Sequence, residues 1–127
     1  MLNGLIVNSQ FAPPAKGFGS TAIHKDSSVF IDWANYCSYE LGYQNIADTS
    51  LGLASVGDSL SCVGKAGENG VLSLGDGGSA TLKFEHSIKN GPGWDFAVFE
   101  NAFDNFFLEL AFVEVSSNGI DYIRFPA

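Results

Sequence analysis

Basic residues are scarce in this 127-residue chain: 6 Lys and Arg stand against 14 Asp and Glu, giving a formal net charge of −8. Phosphate backbones are held by clustered Lys and Arg, so nucleic acid is excluded as a partner, and an anionic membrane surface repels such a chain. Cations, neutral ligands and basic partners stay open. No apolar run reaches the roughly 20 residues of a transmembrane helix, so no direct membrane insertion is expected. The start, Met1 to Val7, lacks the basic region and full apolar stretch of a signal peptide. Cys37 and Cys62 are the only cysteines, and no CxxC metal motif exists. A disulfide between them fits export, while two buried free thiols fit the sequence equally well. His24 and His86 lie too far apart in sequence for a metal-spaced cluster. The GxSxG elbow of a serine hydrolase is missing, and no pair of acids stands out as a glycosidase pair. Gly75-Asp76-Gly77-Gly78 lacks the Lys and following helix of a phosphate-cradling loop, which leaves a tight turn. These absences point away from an enzyme.

What is present favours strands. Hydrophobic residues make up 46%, with 11 Phe and 15 Gly. Aromatic and β-branched residues suit strands, and Gly suits the turns between them. The length allows one domain over 1–127, with 1–25 an irregular lead-in broken by Pro13-Pro14 and Gly17-Phe18-Gly19-Ser20. Asp26 to Leu41 is the one helix candidate: Asp26 or Ser27 caps it, and Phe30, Trp33, Cys37 and Leu41 follow at helical spacing. Tyr36, Cys37 and Tyr39 also tolerate a strand. Residues 42–70 read as long ordered loops. From residue 71 the pattern turns to β, first in the short apolar run Val71 to Leu74. Ser79 to Glu85 alternates as a half-exposed strand does, and Asp95 to Glu100 is apolar on both faces, as a central strand is. Leu108 to Ser116 forms a further strand, turned at Ser117-Asn118-Gly119 into a hairpin with Tyr122 to Phe125. Short strands punctuated by turns predict a mainly β fold, an antiparallel β-sandwich with one short helix. Ending on Pro126-Ala127 straight after a strand, the natural protein is expected to continue.

The stretch Val113-Glu114-Val115-Ser116-Ser117-Asn118-Gly119-Ile120-Asp121-Tyr122 resembles the hairpin of galactose-binding-like (discoidin-type) jelly-roll modules. Three further stretches resemble a group of cell-surface proteins common in Bacteroidetes: Gly19 to Asp26, Ser73 to Leu82, and Asp95 to Asn101 with the strand after it. Together they span most of 19–126. The resemblance implies a jelly roll, export and a surface binding role, and some members of the group accompany outer-membrane uptake systems, including those for corrinoids. It also implies a longer natural chain. It assigns no ligand residues.

Two features mark candidate sites. Asp95, Glu100, Glu109 and Glu114 lie in or beside the most apolar segments. An isolated buried carboxylate costs several kcal/mol, about, unless paired, protonated or metal-bound. Galactose-binding-like modules often hold a structural calcium in a loop of this kind, and carboxylates, amides and carbonyls are hard oxygen ligands. Glu100 and Asn101, with Asp95 or Asp104 contributing, therefore form a candidate Ca²⁺ site. The plainer reading is that these acids cap loops or face solvent, with Glu114 opposite Arg124 in an ordinary ion pair. Among the aromatics, Trp94 in its Gly-Pro-Gly turn is the ligand candidate, with Tyr36, Tyr39 and Tyr43, above all Tyr43, beside it; Phe103, Phe106 and Phe107 plug the end of a core. The leading expectation is a non-catalytic extracellular module that recognises a glycan or other small ligand. The alternative is a docking module that takes a surface protein partner within an uptake assembly, and a hydrolase is the third reading.

Overall fold

The computed structural model describes residues 13, 15–104, 107 and 109–126. They fall into two compact units, one of His24–Asn101 and one of Met1–Ile23 with Ala102–Ala127.

The first unit is organised by one antiparallel pair, β1 (Tyr36–Glu40) and β2 (Ser79–Lys83). β2 lies where the alternation of Ser79-Ala80-Thr81-Leu82-Lys83 predicts a strand. β1 replaces the expected helix over Asp26 to Leu41, and residues 26–35 are turns and irregular chain. The reason is pairing. Backbone groups that a helix would use internally are taken by distant segments: the Asn35 N–H donates to the Lys83 carbonyl at 3.0 Å, and the Ala34 carbonyl accepts from Gly64 N–H at 2.8 Å. Asn, Asp, Ser and β-branched residues between 27 and 35 give the helix little intrinsic support against these ties. Cys37 then bonds to Cys62, with 6.6 Å between their Cα atoms. Ala34, Cys37 and Ala54 are the buried hydrophobic residues among those described, so the disulfide stands where a larger apolar core would be.

Beyond β1 the chain crosses two neighbours at Tyr43, which bridges Leu53 on one side and Asp76 on the other. The crossing is tight. Gly75 has φ +71°, and a Cβ there would lie 2.6 Å from the Tyr43 carbonyl oxygen, so only glycine fits. Asp48 accepts from the Ser50 N–H and caps a single 3₁₀ turn, Thr49–Leu51. Asp58 likewise caps its own turn through the N–H groups of Leu60 and Ser61.

The second unit holds β3 (Glu114–Val115) and β4 (Ile123–Arg124), an antiparallel hairpin with Glu114 opposite Arg124. Its turn is built by side chains. Ser116 Oγ accepts from the N–H groups of Asn118 and Gly119, and Asn118 Oδ1 accepts from those of Ile120 and Asp121. Arg124 donates to Glu114 at 2.8 Å and lies 4.4 Å from the centre of the Phe112 ring.

This architecture corrects the expected β-sandwich. The two sheets have two strands each, the rest is mostly coil, and no closed pair of facing sheets exists among the described residues. A sandwich needs long strands whose inner faces cover one another. Here Asp95 to Glu100 forms no strand, and Val98 is 66% exposed. The strand expected from Leu108 to Ser116 shrinks to β3; Leu108 itself lies outside the described residues. Phe103 and Phe107 are exposed rather than plugging a core end, and Phe106 lies outside the described residues.

Candidate functional site

Side chains alternate across a strand, and directly opposed residues share a face of the sheet. The register of β1 with β2 sets Tyr36 against Lys83, Ser38 against Thr81 and Glu40 against Ser79. One face therefore carries Cys37, Tyr39, Ala80 and Leu82, with the disulfide beneath Cys37. The other carries a strip of polar groups: Tyr36, Ser38, Glu40, Ser79, Thr81 and Lys83.

At the Glu40 end of the strip lies a shallow concavity of about 180 Å³, lined by Ser38, Tyr39, Glu40, Ser79 and Thr81. Pockets for drug-sized ligands span roughly 300–1,000 Å³, so this one is smaller than they are. Ser38, Ser79 and Thr81 each bring a hydroxyl that donates one hydrogen bond and accepts others, while the Glu40 carboxylate only accepts. Such a set matches a ligand rich in hydroxyl groups. The two histidines lie elsewhere, His24 against Asp26 and His86 against Asp32. At the far end, Lys83 Nζ lies 4.7 Å from the centre of the Tyr36 ring, a cation–π contact.

Elsewhere in this unit, charge serves local ties. Lys65 donates to Asp26 at 2.6 Å, which holds the Asp26 carboxyl below its ordinary range and pushes the Lys65 amine up. The Trp33 backbone N–H, helped by His86, lowers Asp32 in the same way. Phe30, Trp33 and Phe99 cluster with ring centres 5.3–5.6 Å apart.

Of the aromatic residues expected to bind ligand, Tyr36 lies on this strip and Tyr39 is among the residues lining its concavity, whereas Trp94 and Tyr43 belong to neither. Trp94 is 71% exposed in its turn, and Tyr43 is fixed in the crossing with Leu53 and Asp76; no ring contact among the described residues joins the two. Of the expected calcium ligands, Asp95 Oδ1 accepts from the Gly91 N–H at 2.8 Å and Asp104 Oδ1 from the Phe107 N–H at 2.8 Å. Asp95, Glu100 and Asn101 belong to the first unit, and Asp104 to the second. Among the described residues no group of three or more His, Cys, Asp or Glu is arranged to hold a metal ion. Sequence reading passed over Ser38, Glu40, Ser79, Thr81 and Lys83. The signal was present in the alternation of both segments, Tyr-Cys-Ser-Tyr-Glu and Ser-Ala-Thr-Leu-Lys, once they are aligned as a pair.

Among the described residues no helix is long and apolar enough to cross a membrane. No protein-family model, curated protein or solved structure matches this chain.

Proposed function

We propose that this chain is a non-catalytic binding module of an extracellular or cell-surface protein, and that it takes one sugar ring on the polar face of β1–β2. The observation that carries this reading is the 180 Å³ concavity whose lining offers three hydroxyls and one carboxylate. Vicinal hydroxyls of a pyranose donate to Glu40 and exchange hydrogen bonds with Ser38, Ser79 and Thr81, all without charge transfer or bond cleavage. The extracellular placement is supported by the Cys37–Cys62 disulfide, since such bonds persist in oxidising compartments, and by the resemblance of three sequence stretches to bacterial surface proteins.

Amide chemical-shift titration with galactose, mannose, glucose and cellobiose tests the reading. The expected result is saturable shifts confined to residues 38–40 and 79–81, with Kd in the millimolar range, about −4 kcal/mol. A Ser38→Ala/Thr81→Ala variant loses them. Wild-type protein that shows no shift with any of the four sugars refutes it.

A second reading, a docking module in a surface assembly, draws on the apolar side chains left at the surface, among them Ile120 and Ile123 at the hairpin. Sedimentation at rising concentration and binding of the dye ANS test it. A monomer at all concentrations that leaves ANS dark removes it.

A further inference from the structure

We infer that the site continues along the sheet to Lys83 and that its full ligand is an acidic saccharide, with a neutral ring in the concavity and a linked ring whose carboxylate meets the Lys83 ammonium. This rests on the sugar-binding reading given above and deepens it.

Register places Lys83 and Tyr36 on the same face as Ser38, Glu40, Ser79 and Thr81. Glu40 marks one end of the strip and Lys83 the other. They are four residues apart along the paired strands, about 13 Å at the usual rise of ~3.3 Å per residue. That is the reach of two linked pyranose rings. The two ends carry opposite charge, so a ligand with one carboxylate has one favoured orientation: repelled at Glu40 and held at Lys83.

Lys83, like Lys16 and Lys89, is in no ion pair among the described residues, but it is the one of the three that lies on the strip. With 14 acids for 6 bases, carboxylate partners are abundant. Lys65 pairs with Asp26, Arg124 pairs with Glu114, and Lys25 donates to the Ala66 carbonyl. Lys83 forms no ion pair among the described residues, not even with Glu85 two positions on, and its ammonium rests over the Tyr36 ring. The ring face steadies the cation, and the N–H donors turned away from it stay available to an anion. The overall negative charge does not forbid an anionic ligand. Screening over about 8 Å at physiological ionic strength removes the distant acids from the balance, and the direct contact decides.

The test compares cellobiose with cellobiouronic acid, which differ in a single carboxylate, by calorimetric titration of the full chain. The uronate is expected to bind about tenfold tighter than the neutral disaccharide, and Lys83→Gln to bring it down to the neutral value while Lys83→Arg keeps the preference. In wild-type protein the preference should also fade between 0.05 M and 1 M NaCl, a readout that does not depend on any variant folding. Equal affinity for the two sugars overturns the inference and leaves the single-ring reading standing. So does a preference that survives Lys83→Gln in a variant with wild-type amide dispersion, or one that is indifferent to salt. Failure of both sugars to bind overturns the inference, and the reading beneath it falls as well when galactose, mannose and glucose also leave the amides unshifted.

Discussion

Removing the Cys37–Cys62 disulfide should unfold the unit that carries the polar strip. The perturbation is the double substitution Cys37→Ser/Cys62→Ser, or reduction of the wild-type protein by a dithiol. The bond closes a loop with a sequence separation of 25. In the chain-entropy model such a loop restrains the unfolded state by about 12 cal/mol/K, or about 3.5 kcal/mol at 25 °C. The figure matters only against the stability of the whole unit. At the usual 0.05–0.15 kcal/mol per residue, residues 24–101 would hold roughly 4–12 kcal/mol. The low end applies here, because the buried hydrophobic residues described are Ala34, Cys37 and Ala54, all small. Cross-link entropy therefore matches nearly the whole of the unit's stability, and nothing of comparable size remains to hold β1 against β2.

Urea titration followed by near-ultraviolet circular dichroism, with amide exchange of residues 36–40 and 79–83, reads the outcome. The oxidised protein should show a cooperative transition and slow exchange on β1 and β2. The serine variant should show neither, with its transition lost or moved close to zero urea. A serine variant with the wild-type midpoint and slope would refute the reasoning. It would mean that contacts other than the disulfide supply the core, and that the scarcity of buried apolar side chains has been misjudged as weakness.

Two further perturbations probe other ties. The Asp26–Lys65 pair lowers the acid and raises the base, so its stabilisation is full between the two ordinary values, 3.8 for the carboxyl and 10.5 for the amine. It is lost at the acid end as pH falls through the depressed Asp26 value, and at the alkaline end as pH rises through the raised Lys65 value. Asp26→Asn should leave a wild-type melting profile that differs from it only inside that window; identical profiles at neutral pH mean the pair contributes nothing in solution. Asn118→Ala removes an acceptor used by two backbone N–H groups in the β3–β4 turn. About 1 kcal/mol of hairpin stability should go with it, visible as faster amide exchange at Val115 and Ile123, and unchanged exchange there would show the turn to be set by Ser116 and Gly119 instead.

What the sequence revealed and what it hid divide along one physical line. β2 was legible because alternation is local, and so was the Ser117-Asn118-Gly119 turn, because Ser and Asn side chains bond the backbone within a few positions. β1 was hidden. Phe30, Trp33, Cys37 and Leu41 have a helix's spacing, but the backbone partners of this segment lie at Lys83 and Gly64, and its covalent partner is Cys62. No window around residue 37 contains them. The segment Asp95 to Glu100 failed in the opposite sense. Its two-sided apolar pattern belongs to a strand covered on both faces, and in this chain Val98 and Phe99 stay at the surface. Trp94 and Tyr43 were chosen as conspicuous single residues, whereas the polar strip arises only when two unremarkable pentapeptides meet in register.

That register is also what joins the disulfide to the proposed binding. Because side chains alternate with period two, a slip of one residue between β1 and β2 turns every side chain of one strand to the other face. Ser38 and Glu40 would lose Thr81 and Ser79 as their opposites, and the hydroxyls would no longer converge. A two-stranded ribbon has little of its own to prevent this. Two features do so here. The bond to Cys62 fixes which face of β1 Cys37 occupies, and the glycine-lined crossing at Tyr43 and Asp76 fixes where the strand ends. The first of these exists only under oxidising conditions. A strip whose geometry depends on a bond that a reducing compartment would break fits the extracellular placement proposed above.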